Sequence, residues 1–147
     1  MTPYFQSIER QHQLRQVALS WLGTPFHHHG RLRGVGVDCV QLLGQIMIEV
    51  GAVSDYAFPQ YAMDSKALTR SIVVDYLEGR SDFQRVEGNT MPGDILCIRW
   101  HLVPHHCGLV IDAETFIHAV PGRGVVQSPI REKLFARRTE AVYRLFA

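Results

Sequence analysis

The stretch Gly36-Val37-Asp38-Cys39-Val40-Gln41-Leu42-Leu43-Gly44-Gln45-Ile46-Met47-Ile48-Glu49-Val50-Gly51 decides how the rest of the chain is read. A loop runs straight into an amphipathic helix that carries a cysteine in its first turn. Val40, Leu43, Met47 and Val50, flanked by Leu42 and Ile46, recur at helical spacing, and Gly51 supplies the stop. Asp38 reads as the N-cap, so Cys39 opens the helix. There the unpaired backbone N–H groups and the positive end of the helix dipole favour thiolate over thiol, which makes a better nucleophile near neutral pH. Free cysteine is also a common small core residue, so this stretch alone leaves nucleophile and packing residue both open.

The 147 residues suggest one domain, 1–147, with a single core. A formal charge of +1 and a charged content of 20% give no polyelectrolyte signature, so no nucleic-acid partner is expected. Cys97 and Cys107 fall inside expected strands rather than in a small disulfide scaffold, which points to synthesis in a reducing compartment. Met1 to Arg15 lacks the apolar run of a secretory signal, and no stretch is long and apolar enough for a membrane span. The expectation is a protein made in the cytoplasm without an export address of its own.

Upstream of the cysteine, Leu14, Val17, Ala18, Trp21 and Leu22 form an apolar stripe that predicts a helix over Ile8 to Leu22, ended by Gly23-Thr24-Pro25. From Phe26 to Val37 the composition is that of a loop held against something, with His27, His28 and His29 in a row. Downstream, a helix is expected over Ser65 to Glu78, with Leu68, Ile72 and Leu77 facing the core and Gly79 as its stop. From Met91 onward the period changes to two. Ile95 to Trp100, His106 to Ile111, Thr115 to Val120 and Ala141 to Phe146 read as strands, with Gly122, Gly124 and Pro129 punctuating the last connections. Helices followed by strands indicate α+β with an antiparallel sheet rather than a doubly wound fold.

A thiolate nucleophile needs a partner that takes its proton and later returns one to the leaving group. His106 and His118 share one face of the sheet if Asp112-Ala113-Glu114 is the hairpin loop, a register that sets His118 opposite Gly108. His106 then lies diagonally across, about 7–8 Å away between backbones, and Gly108 leaves room for its ring to lean over. His105 points the other way. Core histidines and a solvated strand end are the bland readings of the same residues. A zinc module is a third, since cysteine and histidine are zinc ligand types, but the spacing does not favour it: structural zinc sites usually pair ligands as in Cys-x-x-Cys, and His27-His28-His29 are consecutive.

Taken together, Gly23-Thr24-Pro25-Phe26, Gly30, Asp38-Cys39 with its helix, Pro92-Gly93-Asp94-Ile95-Leu96, His106-Cys107-Gly108-Leu109-Val110 and Phe116-Ile117-His118-Ala119 resemble the NlpC-type family of cell-wall cysteine peptidases. The likeness is greatest to the short branch encoded with phage tails and gene-transfer particles, and Tyr143-Arg144 is similar to that family's last strand. The resemblance implies a compact, circularly permuted papain-like fold in which Cys39 is the nucleophile, His106 the base and His118 the residue that orients it. It implies cleavage of amide bonds in peptidoglycan stem peptides, typically between D-glutamyl and a diamino acid, with no cofactor. Asp38 falls on the position that can hold the substrate's free amine.

Three features depart from that pattern. The common Asp-Cys-Ser-Gly is here Asp38-Cys39-Val40-Gln41, the tyrosine whose phenol contributes near the oxyanion is replaced by Phe26, and the loop to Cys39 is one residue longer and carries the histidines. The leading expectation is a thiol amidase or endopeptidase acting on murein after delivery by a tail, a secretion apparatus or lysis. The alternatives are a tail or secretion component that keeps the fold with weak hydrolysis, and the zinc module.

Overall fold

Ser7 and Asp38 start the two long helices in the same way, each accepting a hydrogen bond from the backbone N–H three residues on, at 3.2 Å from Arg10 and 2.9 Å from Gln41. Such a cap satisfies one of the orphan donors of a first turn. The computed structural model describes residues 1–61, 71–100 and 105–147. Helix α1 spans Ile8–Leu19 and helix α2 Cys39–Glu49. Helix α1 is shorter than the apolar stripe suggests because the Ser20 hydroxyl bonds back to the Val17 carbonyl and the chain turns through Trp21 and Leu22 to Gly23.

The histidine loop contains a two-stranded hairpin, β1 (Arg31–Leu32) with β2 (Gly36–Val37), that delivers the chain to Asp38. The loop is drawn tight: a Cβ on Gly30 would stand 2.6 Å from the Gly36 carbonyl oxygen, so only glycine admits this approach. Helix α3 is Ile72–Glu78, capped by Ser71. Val73 and Leu77 are its buried residues and Ile72 is only half-buried. The start expected at Ser65, and Leu68 with it, lie outside the described residues.

Six strands form one antiparallel sheet: β3 (Phe83–Arg85), β4 (Ile95–Ile98), β5 (His106–Val110), β6 (Thr115–Val120), β7 (Gly124–Pro129) and β8 (Thr139–Leu145), in the order β3-β8-β4-β5-β6-β7. The α+β architecture agrees with the sequence. Strands β3 and β7, and the short helix α4 (Lys133–Arg138), were not expected. Strand β8 inserts between β3 and β4, where Arg144 grips the fully buried Asp94 of the Pro-Gly-Asp turn through two contacts of 2.8 Å. Helix α2 packs on β5 and β6, burying Leu42 and Ile46 with Leu109 and Ile117. On the opposite face Leu96, Val110 and Phe116 meet Phe135 of α4. Cover on both faces explains why β4 and β5 are buried along their whole length instead of alternating.

Candidate active site

Cys39 is the first residue of α2 and is 4% exposed. Its neighbour Asp38 is 1% exposed, and both its carboxylate oxygens are engaged: Oδ1 accepts the Gln41 N–H, while Oδ2 accepts the His29 N–H at 2.7 Å and the Tyr61 hydroxyl. One side chain therefore caps the helix and ties the histidine loop to it. The remaining first-turn N–H groups point outward from the start of α2, as helix geometry requires.

Strands β5 and β6 pair Leu109 with Ile117 and Val110 with Phe116, and the Ile111 N–H closes on the Thr115 carbonyl around Asp112, Ala113 and Glu114. Continued to the strand ends, this register sets His118 opposite Gly108, as expected. His106 and His118, each 1% exposed, meet through Nε2 and Nδ1 at 2.7 Å. The other His118 nitrogen, Nε2, lies 2.8 Å from Ser128 Oγ on β7. Room beside Gly108 is used differently from the expectation: the Phe116 ring, not an imidazole, fills it, and that ring then packs 4.5 Å from His118.

With Nε2 given to His118, the second His106 nitrogen, Nδ1, is buried without a hydrogen-bond partner. The Cys39 thiol is pulled down to about 5, first by a hydrogen bond from Cys107, then by the bond and charge of His106, against burial and the negative charge of Asp38. Cys107 is pushed up well above the usual thiol range by that same bond and by burial, so it stays a donor. Burial lowers His118 to about 3, with the charges of His106 and Arg123 adding to it. A neutral His118 protonated at Nε2 donates to Ser128 and offers Nδ1 as acceptor to the N–H of His106 Nε2.

The cleft beside Cys39 is walled by Phe26, His28, Val40, Phe58, Tyr61 and His105, among others. Phe26 is half-buried and bridges to Val37. His105 faces away from the histidine pair, its Nδ1 accepting the Ile72 N–H at 3.1 Å, and burial lowers its pKa. Three residues here escaped the sequence reading. Ser128 was hidden because β7 was taken for a connection, Cys107 because only its backbone position was legible, and Tyr61 because it comes from an aromatic, turn-rich segment with no period. Among the described residues no three His, Cys, Asp or Glu side chains gather as a metal-ligand set.

The sequence pattern of the NlpC/P60 family matches residues 23–144. No curated protein sequence matches the chain significantly. Solved structures that share the fold include two of NlpC/P60 proteins. One is a protein similar to lipoprotein, NLP/P60 family, from Staphylococcus aureus subsp. aureus Mu50, with a TM-score of 0.67 and 15% identity over 100% of this chain. This chain spans 45% of that protein's length. The other is the NlpC/p60 domain of the peptidoglycan hydrolase SagA, with a TM-score of 0.58, 15% identity and coverage of 93% of this chain and 98% of that one. The matched span runs from the glycine before Thr24-Pro25 to Arg144 and takes in Cys39, His106 and His118, so the chain belongs to the NlpC/P60 family.

Proposed function

We propose that the chain is a cell-wall hydrolase that cleaves amide bonds of peptidoglycan stem peptides with Cys39 as nucleophile. The observation that carries this reading is the buried file His106, His118, Ser128, together with Cys39 at the open end of a helix on a cleft, its thiol lowered in part by the charge of His106. Family membership and the fold shared with a peptidoglycan hydrolase support the substrate class.

In this reading the Cys39 thiolate attacks the scissile carbonyl, and the oxyanion meets the Cys39 N–H at the start of α2. His106 passes its proton from Nδ1 to the leaving amine, which departs and leaves a thioester. A water then gives its proton to the same nitrogen as its oxygen attacks the thioester carbon, which releases the acid and restores the thiolate beside a protonated His106. His118 holds His106 in the tautomer this cycle needs, and Ser128 holds His118. Asp38, as a holder of the substrate's amine, has an acceptor site left on Oδ1 beside the Gln41 N–H. Among the described residues no helix is long and apolar enough to cross a membrane, and delivery to the wall by a phage tail, a secretion apparatus or lysis completes the proposal.

Incubation with defined muropeptides followed by mass spectrometry tests it. Cleavage by the wild type and none by Cys39→Ser with an unchanged far-UV spectrum is the expected result. An inert wild type whose Cys39 also resists iodoacetamide would favour a structural component that has kept only the fold.

A further inference from the structure

The Phe26 substitution leaves the cleft without a phenol at that position, and the histidine loop has no assigned task. We propose that His28 and His29 clamp the Tyr61 carbonyl so that the Tyr61 hydroxyl holds Asp38 behind the nucleophile, making Tyr61 a positioning residue for Cys39. This rests on the reading of Cys39 as nucleophile.

The clamp is visible in two contacts. Nε2 of His28 and Nε2 of His29 each lie 3.1 Å from the Tyr61 carbonyl oxygen, which has one lone pair for each N–H. The two imidazoles stack at 3.8 Å, and both stand edge-on to the Tyr61 ring, at 5.2 and 4.5 Å. His29 adopts a φ of 64°, an unusual conformation for a residue with a side chain. That turn aims its own N–H at Asp38 Oδ2 while its ring holds Tyr61. One strained residue thus fixes the distance between Tyr61 and the cap of α2.

The phenol is placed for a single role. It donates to Asp38 Oδ2 and accepts from Gln41 Nε2 at 3.3 Å, so its direction is set. Burial and the bond to Asp38 hold its pKa far above the ordinary phenol value, so it remains a donor throughout the working range. Asp38 is the charge that opposes the Cys39 thiolate. A hydroxyl on its carboxylate draws that charge away from sulfur, and removing the hydroxyl returns it. The other groups facing Cys39 are His106 and Cys107 from β5, with His105 and His28 across the cleft, and none of them changes in a Tyr61 variant.

The test is alkylation of the full chain by iodoacetamide from pH 4 to 8, read peptide by peptide, with Cys97 and Cys107 as internal references. Wild-type Cys39 should react selectively at pH 6. In Tyr61→Phe the half-maximal pH should rise by about one unit, so that the rate at pH 5 falls about three- to tenfold while the rate at pH 8 is unchanged. His28→Ala/His29→Ala should shift the profile the same way, and it decides the matter if Tyr61→Phe loses its far-UV spectrum. A reactive wild type with unshifted profiles in both variants overturns this inference alone. An unreactive wild-type Cys39 overturns the nucleophile reading, and this inference with it.

Discussion

Nε2 of His106 lies 2.7 Å from Nδ1 of His118, which leaves Nδ1 of His106 as the nitrogen that can serve sulfur. The two rings therefore act as a unit, and their removal should be non-additive. His106→Ala is expected to lower kcat by roughly a thousandfold or more and His118→Ala by less, with the double variant within about threefold of His106→Ala alone. Turnover of a defined muropeptide measures all three, and a double variant showing the full product of both losses would contradict the shared role.

Ser128 extends the unit by one residue. Ser128→Ala leaves His118 Nε2 buried without its partner, a cost of about 1 kcal/mol or more, which corresponds to a five- to tenfold loss of kcat with KM unchanged. Ser128→Thr keeps the hydroxyl and should retain more activity than the alanine variant.

The reactive form of Cys39 is the thiolate, and its pKa is lowered to about 5. Alkylation and kcat/KM should accordingly be full at neutral pH and fall as the pH drops through about 5. The first cause of the lowering is the Cys107 hydrogen bond. Cys107→Ala removes that donor, so the falling limb should move to higher pH, whereas Cys97→Ala should leave it in place. Cys97, raised to about 12 by burial first and by Glu140, should stay unmodified near neutrality.

Sequence alone carried the parts of this site that follow from local rules. A cap, a 3.6-residue period and Gly51 place Cys39 at the start of α2, and a three-residue hairpin loop fixes the register of β5 on β6, hence His118 opposite Gly108. What stayed hidden depends on long-range packing. Strand β7 carries Gly124 at its start and Pro129 at its end, so it looks like a connection, and its strand character comes from pairing with all of β6. Tyr61 is held by residues that precede it by more than thirty positions, for which no periodic signal exists. The expected use of the space at Gly108 was also wrong in its occupant, because the claim of Phe116 on that space is set by packing on β6.

Asp94 and Arg144 make the clearest stability prediction. Asp94 is 0% exposed and accepts from Arg144 at both carboxylate oxygens, with the Met91 N–H added at 2.9 Å. Asp94 is the partner without solvent, so Arg144→Ala strands its carboxylate and should cost about 3–5 kcal/mol by urea denaturation. The bond joins the turn before β4 to β8, and the loss should appear as a lower denaturation midpoint with an unchanged slope.

The final prediction connects packing to chemistry through Gly108. A Cβ built there would stand 2.5 Å from Phe116 Cδ2 and 2.8 Å from Cε2, closer than real contacts allow. The ring cannot retreat freely, because Phe135 lies 5.1 Å away and the His118 ring 4.5 Å away. Gly108→Ala therefore pushes Phe116 towards His118, at a strain of about 1–3 kcal/mol. The expected result is a lower denaturation midpoint together with a drop in kcat larger than any change in KM, since in the proposed mechanism His118 orients the base, and it does not line the cleft. Gly108→Ala/Phe116→Leu removes the offending ring edge and should recover kcat relative to Gly108→Ala. A Gly108→Ala enzyme with wild-type kcat and midpoint, or a double variant no better than the single one, would show that the Phe116 ring does not transmit the strain to His118.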